Sequence, residues 1–123
     1  MKKPIFTDFL SVFVFFRIEC IFAAMKKIEI TNTEQLEHLI SDSFDKRVLL
    51  FKHSTRCGIS RMALKNFEFD LGEETYYYLD LISFRSISNE IAEKFQVKHE
   101  SPQLLYIENG EVVKVQNHHQ ISI

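Results

Sequence analysis

Val48-Leu49-Leu50-Phe51-Lys52-His53-Ser54-Thr55-Arg56-Cys57-Gly58-Ile59-Ser60 is the stretch whose reading decides the fold of this chain. Its first four residues are an unbroken apolar run, too short for a helix and without the alternation of a half-exposed strand. They read as a strand covered on both faces. Polar residues then lead to Cys57, and beyond it Met62, Ala63, Leu64 and Phe67 recur at helical spacing until the Gly72 region closes the helix. Cys57 is therefore expected where a buried strand passes into the first turn of a helix. Amide N–H groups lack intrahelical partners there and the macrodipole is positive, so the position favours a thiolate over a thiol. Arg56 adds a fixed cation beside it, and the thiolate is the species that attacks disulfides. A lone cysteine is in general a small buried hydrophobe. The polar neighbours and the following Gly58 argue for a reactive thiol here.

Working outward, Lys27 to Ile30 alternates as a short strand, and Thr31-Asn32-Thr33-Glu34 opens a helix with capping-box spacing. Leu36, Leu39, Ile40 and Phe44 then fall on one helical face. Downstream, Tyr76 to Leu79 gives a β-rich core strand. Ile87, Ile91 and Phe95 give a third helix, with a serine cap expected at Ser86 or Ser88. Leu104 to Ile107 and Val112 to Val115 flank Asn109-Gly110, the strongest short signal for a hairpin. The order β-α-β-α-β-α-β-β lets the early strands run parallel through right-handed crossovers while the last two pair antiparallel. The expected fold is α/β, with a central mixed sheet flanked by helices, and this arrangement is similar to that of thioredoxin.

Two further spots bear on the thiol. Ser60 stands where a C-x-x-C pair would keep its second cysteine, and a hydroxyl cannot form a disulfide. Its role is open between a hydrogen bond to the thiolate and local bonds to backbone groups of the helix start. Ser101-Pro102 precedes the last hairpin; in a thioredoxin topology this loop carries a cis proline beside the thiol, and Ser101 would offer backbone hydrogen bonds to an extended substrate. Lys52 and His53 are open between tuning the site and strand-end solvation. His118-His119 reads as a solvated tail, since no second ligand cluster accompanies it, and no metal is expected.

The 123 residues and 46% hydrophobic content suit one domain with an ordinary core. Lys+Arg (15) nearly balances Asp+Glu (17), leaving no basic surplus for a phosphate backbone, so nucleic acid is not an expected partner. Cys20 and Cys57 form neither a disulfide framework nor a zinc spacing. Residues 1–24 differ from the rest and hold six of the twelve phenylalanines. Lys2-Lys3 and Ala23-Ala24 give them the outline of a secretory signal. Asp8, Arg17, Glu19 and Phe22 fit that poorly, and the eight uncharged residues from Phe9 to Phe16 fall well short of the roughly 20 of a membrane span. A start-site artefact ahead of Met25, a signal or interfacial anchor, and an ordered extension stay open, with the domain itself expected over 25–123.

The segment Phe51 to Ser60 resembles the YtxJ family, the monothiol bacilliredoxins. The similarity continues through Tyr78 to Ile82, Arg85, Ser88-Asn89, Ile91 to Phe95 and Val97 to Gln103. It implies a thioredoxin fold, a cytoplasmic setting and removal of bacillithiol from S-thiolated client proteins, with bacillithiol as co-substrate and no resident cofactor. Cys57 is the attacking thiol in that reading, Arg56, Gly58, Ile59 and Ser60 support it, and Ser101 and Pro102 bind substrate. Gly58 replaces the proline usual in the family, and the sequence stops at Ile123 where relatives continue into a last helix, so the C-terminal helix is expected to be missing. Two other functions compete. Cys57-Gly58-Ile59-Ser60 is similar to the Cys-Gly-Phe-Ser signature of monothiol glutaredoxins, which carry iron–sulfur clusters, although the Gly-Gly segment of that family is absent here. A thioredoxin-like interaction module with an inert thiol is the other.

Overall fold

The computed structural model describes residues 27–122. The extension 1–24, with its three readings and Cys20, lies outside the described residues. Strand β1 (Lys27–Glu29) leads to helix α1 (Thr33–Asp42), β2 (Val48–His53), α2 (Gly58–Leu71), β3 (Tyr76–Asp80), α3 (Arg85–Phe95) and the hairpin β4 (Gln103–Glu108) and β5 (Glu111–Asn117), with a 3-10 turn at His118–Gln120. The order is the one expected from the pattern. One five-stranded sheet forms in the order β1-β3-β2-β4-β5. Strands β1 and β2 lie parallel to β3, and β4 is antiparallel to β2 and β5.

All six residues of β2 are buried, because it is paired on both sides and covered on both faces. Its alternate residues feed two cores. Leu50, with Leu79, Leu105 and Ile107, packs under α1 and α3 against Leu36, Leu39 and Ile91. Leu49 and Phe51, with Tyr76, Tyr78 and Leu104, pack under α2 against Phe67 and Leu71. The β4–β5 turn has Asn109 at φ 52° and Gly110 at φ 78°, the two positive values that a type I′ hairpin requires.

Local details depart from the sequence reading in four places. The cap of α1 is Asn32, whose Oδ1 accepts the Gln35 N–H at 2.9 Å while Gln35 Oε1 accepts from the Thr31 N–H at 2.6 Å. The cap is thus one residue later than the Thr31–Glu34 spacing suggested, and the return bond of Gln35 reaches the Thr31 N–H ahead of the cap. Phe44 lies past the end of α1 and is 61% exposed; its ring covers Gly110, where an added Cβ would come within 3.0 Å of it. Neither Ser86 nor Ser88 caps α3, which starts after Phe84. Asp80 organises that turn instead, accepting from the Ile82 N–H at 3.0 Å and the Ser83 hydroxyl at 3.0 Å. Met62 points away from the core and is 67% exposed, so the inner stripe of α2 runs through Ser60, Ala63, Leu64, Phe67 and Leu71.

These faces predict a contrast within one helix. Phe67→Ala should cost about 3–5 kcal/mol, the range for emptying a buried aromatic position. Met62→Ala should stay within about 0.5 kcal/mol. Urea unfolding of both variants reads this; equal losses would contradict the assigned faces.

Candidate thiol site

Strand β2 carries the chain to one end of the sheet, where His53 pairs with Asp80 of β3 and its carbonyl accepts the Leu81 N–H at 3.0 Å. A turn follows, closed by the Cys57 N–H donating to the Ser54 carbonyl at 3.1 Å. Cys57 is the N-cap of α2 in extended backbone geometry (φ −105°, ψ 123°), and the first helical bond runs from the Arg61 N–H to the Cys57 carbonyl at 3.0 Å. The amides of Gly58, Ile59 and Ser60 therefore precede any intrahelical acceptor. The thiol is free and half-buried, with Arg56, Gly58 and Ile59 exposed around it.

Ser60 is fully buried beneath this turn. Its hydroxyl accepts the Ser54 N–H at 3.0 Å and lies 2.8 Å from Nδ1 of His53. Of the two roles left open, these bonds are the local one: the hydroxyl holds the turn that presents Cys57. His53 is 4% exposed, and burial pushes its pKa below the usual imidazole value, with Asp80 opposing that shift. The Ser60 hydroxyl and Nδ1 of His53 share a hydrogen bond whose donor is set by the imidazole tautomer.

Strand-end solvation of Lys52 and His53 is overturned, because neighbouring strands flank β2 to its last residues. Lys52 pairs with Gln103 of β4 and has no exposed surface. Burial, with Arg85 nearby, lowers its pKa from 10.5 to about 8.

The same register puts the start of β4 beside the end of β2. Ser101-Pro102, immediately before Gln103, thus stands at the sheet end that carries Cys57, and its peptide bond is cis, as the topology led one to expect. The Pro102 carbonyl accepts the His118 N–H at 3.0 Å, and His118 Nε2 lies 3.4 Å from a Glu100 carboxylate oxygen. His118 and His119 are both exposed, as expected of a solvated segment, while the backbone there is tied to the proline loop. That backbone bond leaves no mark in a segment that is polar and without periodicity. His118, His119 and Ile121 line a groove of about 310 Å³ with Ile59, Met62 and Ala63 of α2. No group of three metal-ligating side chains occurs among the described residues.

A family model described as monothiol bacilliredoxin BrxC matches residues 28–123. The chain belongs to this family. A solved structure described as a provisional oxidoreductase with a thioredoxin fold is 37% identical, with a TM-score of 0.74 over 82% of this chain and 90% of that one. Thioredoxin from Schistosoma mansoni is 20% identical, with a TM-score of 0.61 over 76% of this chain and 83% of its own. Thioredoxin from Malassezia sympodialis is 18% identical, with a TM-score of 0.59 over 74% and 78%. The fold is that of thioredoxin, and bacilliredoxin membership gives the chain a thiol redox role. Among the described residues no helix is long and apolar enough to cross a membrane.

Burial of Lys52 predicts a pH-dependent stability cost. Below pH 8 the lysine is charged in both folded and unfolded chains, and the full penalty of roughly 3 kcal/mol is present. Between about 8 and 10.5 the unfolded chain holds a proton that the folded one has released, so stability rises with pH; above 10.5 the penalty is gone. Lys52→Met should therefore gain about 1–3 kcal/mol at pH 7, with the gain shrinking as pH passes from 8 to 10.5. Urea unfolding at pH 7 and pH 10 measures this, and a loss of stability at pH 7 would contradict it.

Proposed function

We propose that this protein removes bacillithiol, or a similar low-molecular-weight thiol, from S-thiolated client proteins in the cytoplasm by one-thiol disulfide exchange at Cys57. The observation that carries the reading is the pairing of a free, half-buried thiol at the α2 N-cap with a buried serine three residues later, at the sheet end that also holds Ser101-Pro102. The thiolate attacks the small thiol's sulfur in the mixed disulfide. A bond forms between that sulfur and Cys57, the bond to the client sulfur breaks, and the client leaves as a thiolate that takes a proton from water. Ser60 offers no second sulfur, and its hydroxyl is committed to Ser54 and His53. The adduct leaves only when an outside thiolate attacks the small thiol's sulfur, giving a low-molecular-weight disulfide and regenerating Cys57.

Arg56, Gly58 and Ile59 border the sulfur, and the main chain of Ser101, immediately before Pro102, receives the client segment by strand-like hydrogen bonding. Bacillithiol enters as co-substrate, and the chemistry needs no resident cofactor.

Cys57→Ser should lower de-thiolation of a bacillithiolated client at least 1,000-fold while the unfolding midpoint changes little, and Cys20→Ser should leave the rate within about twofold. A Cys57→Ser protein that still turns over would exclude the mechanism. Brown protein from anaerobic purification, with a cluster lost in that variant, would favour the iron–sulfur reading.

A further inference from the structure

Three buried side-chain atoms make no hydrogen bond among the described residues: Lys52 Nζ, Ser101 Oγ and Gln103 Oε1. They are neighbours, since Lys52 and Gln103 pair across β2 and β4 and Ser101 precedes Gln103 by two residues. The site therefore has a polar flank on the α1/α3 face of the sheet, behind the proline loop. Arg85, the first residue of α3, belongs to the same sheet end, because β3 runs parallel to β2 up to the His53–Asp80 pair and α3 begins five residues later. Arg85 is exposed and makes no ion pair with a described residue, and its charge reaches both Lys52 and His99. His99 lies 3.3 Å from the Ser88 hydroxyl. The carboxylate next to it, Glu100, is already engaged by His118 at 3.4 Å and Lys98 at 3.7 Å. Two cations, one without exposed surface, thus stand together with no anion assigned to them.

An unpaired buried ammonium beside a guanidinium is unfavourable, and an arriving anion relieves it. The opposite flank of Cys57 has the reverse character, with Ile59 and Met62 both 67% exposed. Building on the exchange reading above, we propose that Lys52 and Arg85 form an anion-receiving subsite for a carboxylate on the low-molecular-weight thiol. Arg85 makes the contact at the surface and Lys52 contributes its field from beneath. In the exchange step the carboxylate-bearing half of the mixed disulfide lies on this flank, so its sulfur is the one Cys57 attacks. That half stays bound as the adduct, and the client sulfur leaves as the thiolate.

The test uses one client cysteine carrying either 3-mercaptopropionate or 2-mercaptoethanol, thiols of similar size that differ in the carboxylate. Each rate is normalised to that of dithiothreitol acting on the same mixed disulfide, which removes intrinsic differences in reactivity. The full chain should favour the carboxylate adduct by about tenfold, as expected for one partly desolvated charge contact. Arg85→Gln and Lys52→Met should each bring the ratio to within about twofold of unity while the rate on the neutral adduct is kept. The Lys52 variant is expected to be the more stable protein, so lost folding does not mimic this result. A ratio near one in the parent, or a ratio unchanged in both variants, overturns the subsite while leaving exchange at Cys57 intact. Failure of the parent to react with either adduct sinks the exchange reading itself, and the subsite with it.

Discussion

Strand β2 is held between a parallel neighbour and an antiparallel one, and everything at the site depends on that double pairing. The register with β3 fixes where His53 ends, and the register with β4 sets Gln103 opposite Lys52. Three otherwise distant segments, the Cys57 turn, the start of α3 and the proline loop, are thereby delivered to one sheet end. Six buried residues in a row also leave β2 no freedom to slip, since a one-residue shift would exchange the contents of the two cores.

The chemistry at that end is set by which side chain faces which partner. Cys57 caps α2 with its thiol free, while Ser60, one turn on, faces inward and spends its hydrogen bonds on His53 and the Ser54 amide. The position that would resolve a disulfide in a two-cysteine site is thus used here to hold the turn. The charge around the sulfur is also divided by the sheet, with exposed apolar side chains on the α2 side and unpaired cations on the α3 side. A small anionic thiol and a client polypeptide would therefore meet different surfaces of the same site.

Much of this was legible in the chain. The run from Val48 to Phe51, the Asn109-Gly110 turn and the spacing of Ile87 and Ile91 reflect burial and turn geometry, which act locally and leave a pattern. The position of Cys57 followed from the same run, and the cis bond at Pro102 from the topology. What escaped has long-range causes. Lys52 and His53 look like strand-end polar residues, and only the lengths of β3 and β4 decide that they are inside. Met62 fits the apolar spacing of α2, yet it lies 67% exposed at the rim of the groove beside His118 and His119. His118 folds against Pro102 through one backbone hydrogen bond that no periodicity announces.

The central claim is that exchange stops at a one-thiol adduct. Mass spectrometry under non-reducing conditions, after one equivalent of a low-molecular-weight mixed disulfide, tests it directly. The account predicts that the protein carries the small thiol on Cys57 and keeps it until a second thiol is added, whereas a Ser60→Cys variant loses the adduct and two protons as an internal disulfide forms. Unmodified parent protein alongside consumed mixed disulfide would contradict the one-thiol mechanism.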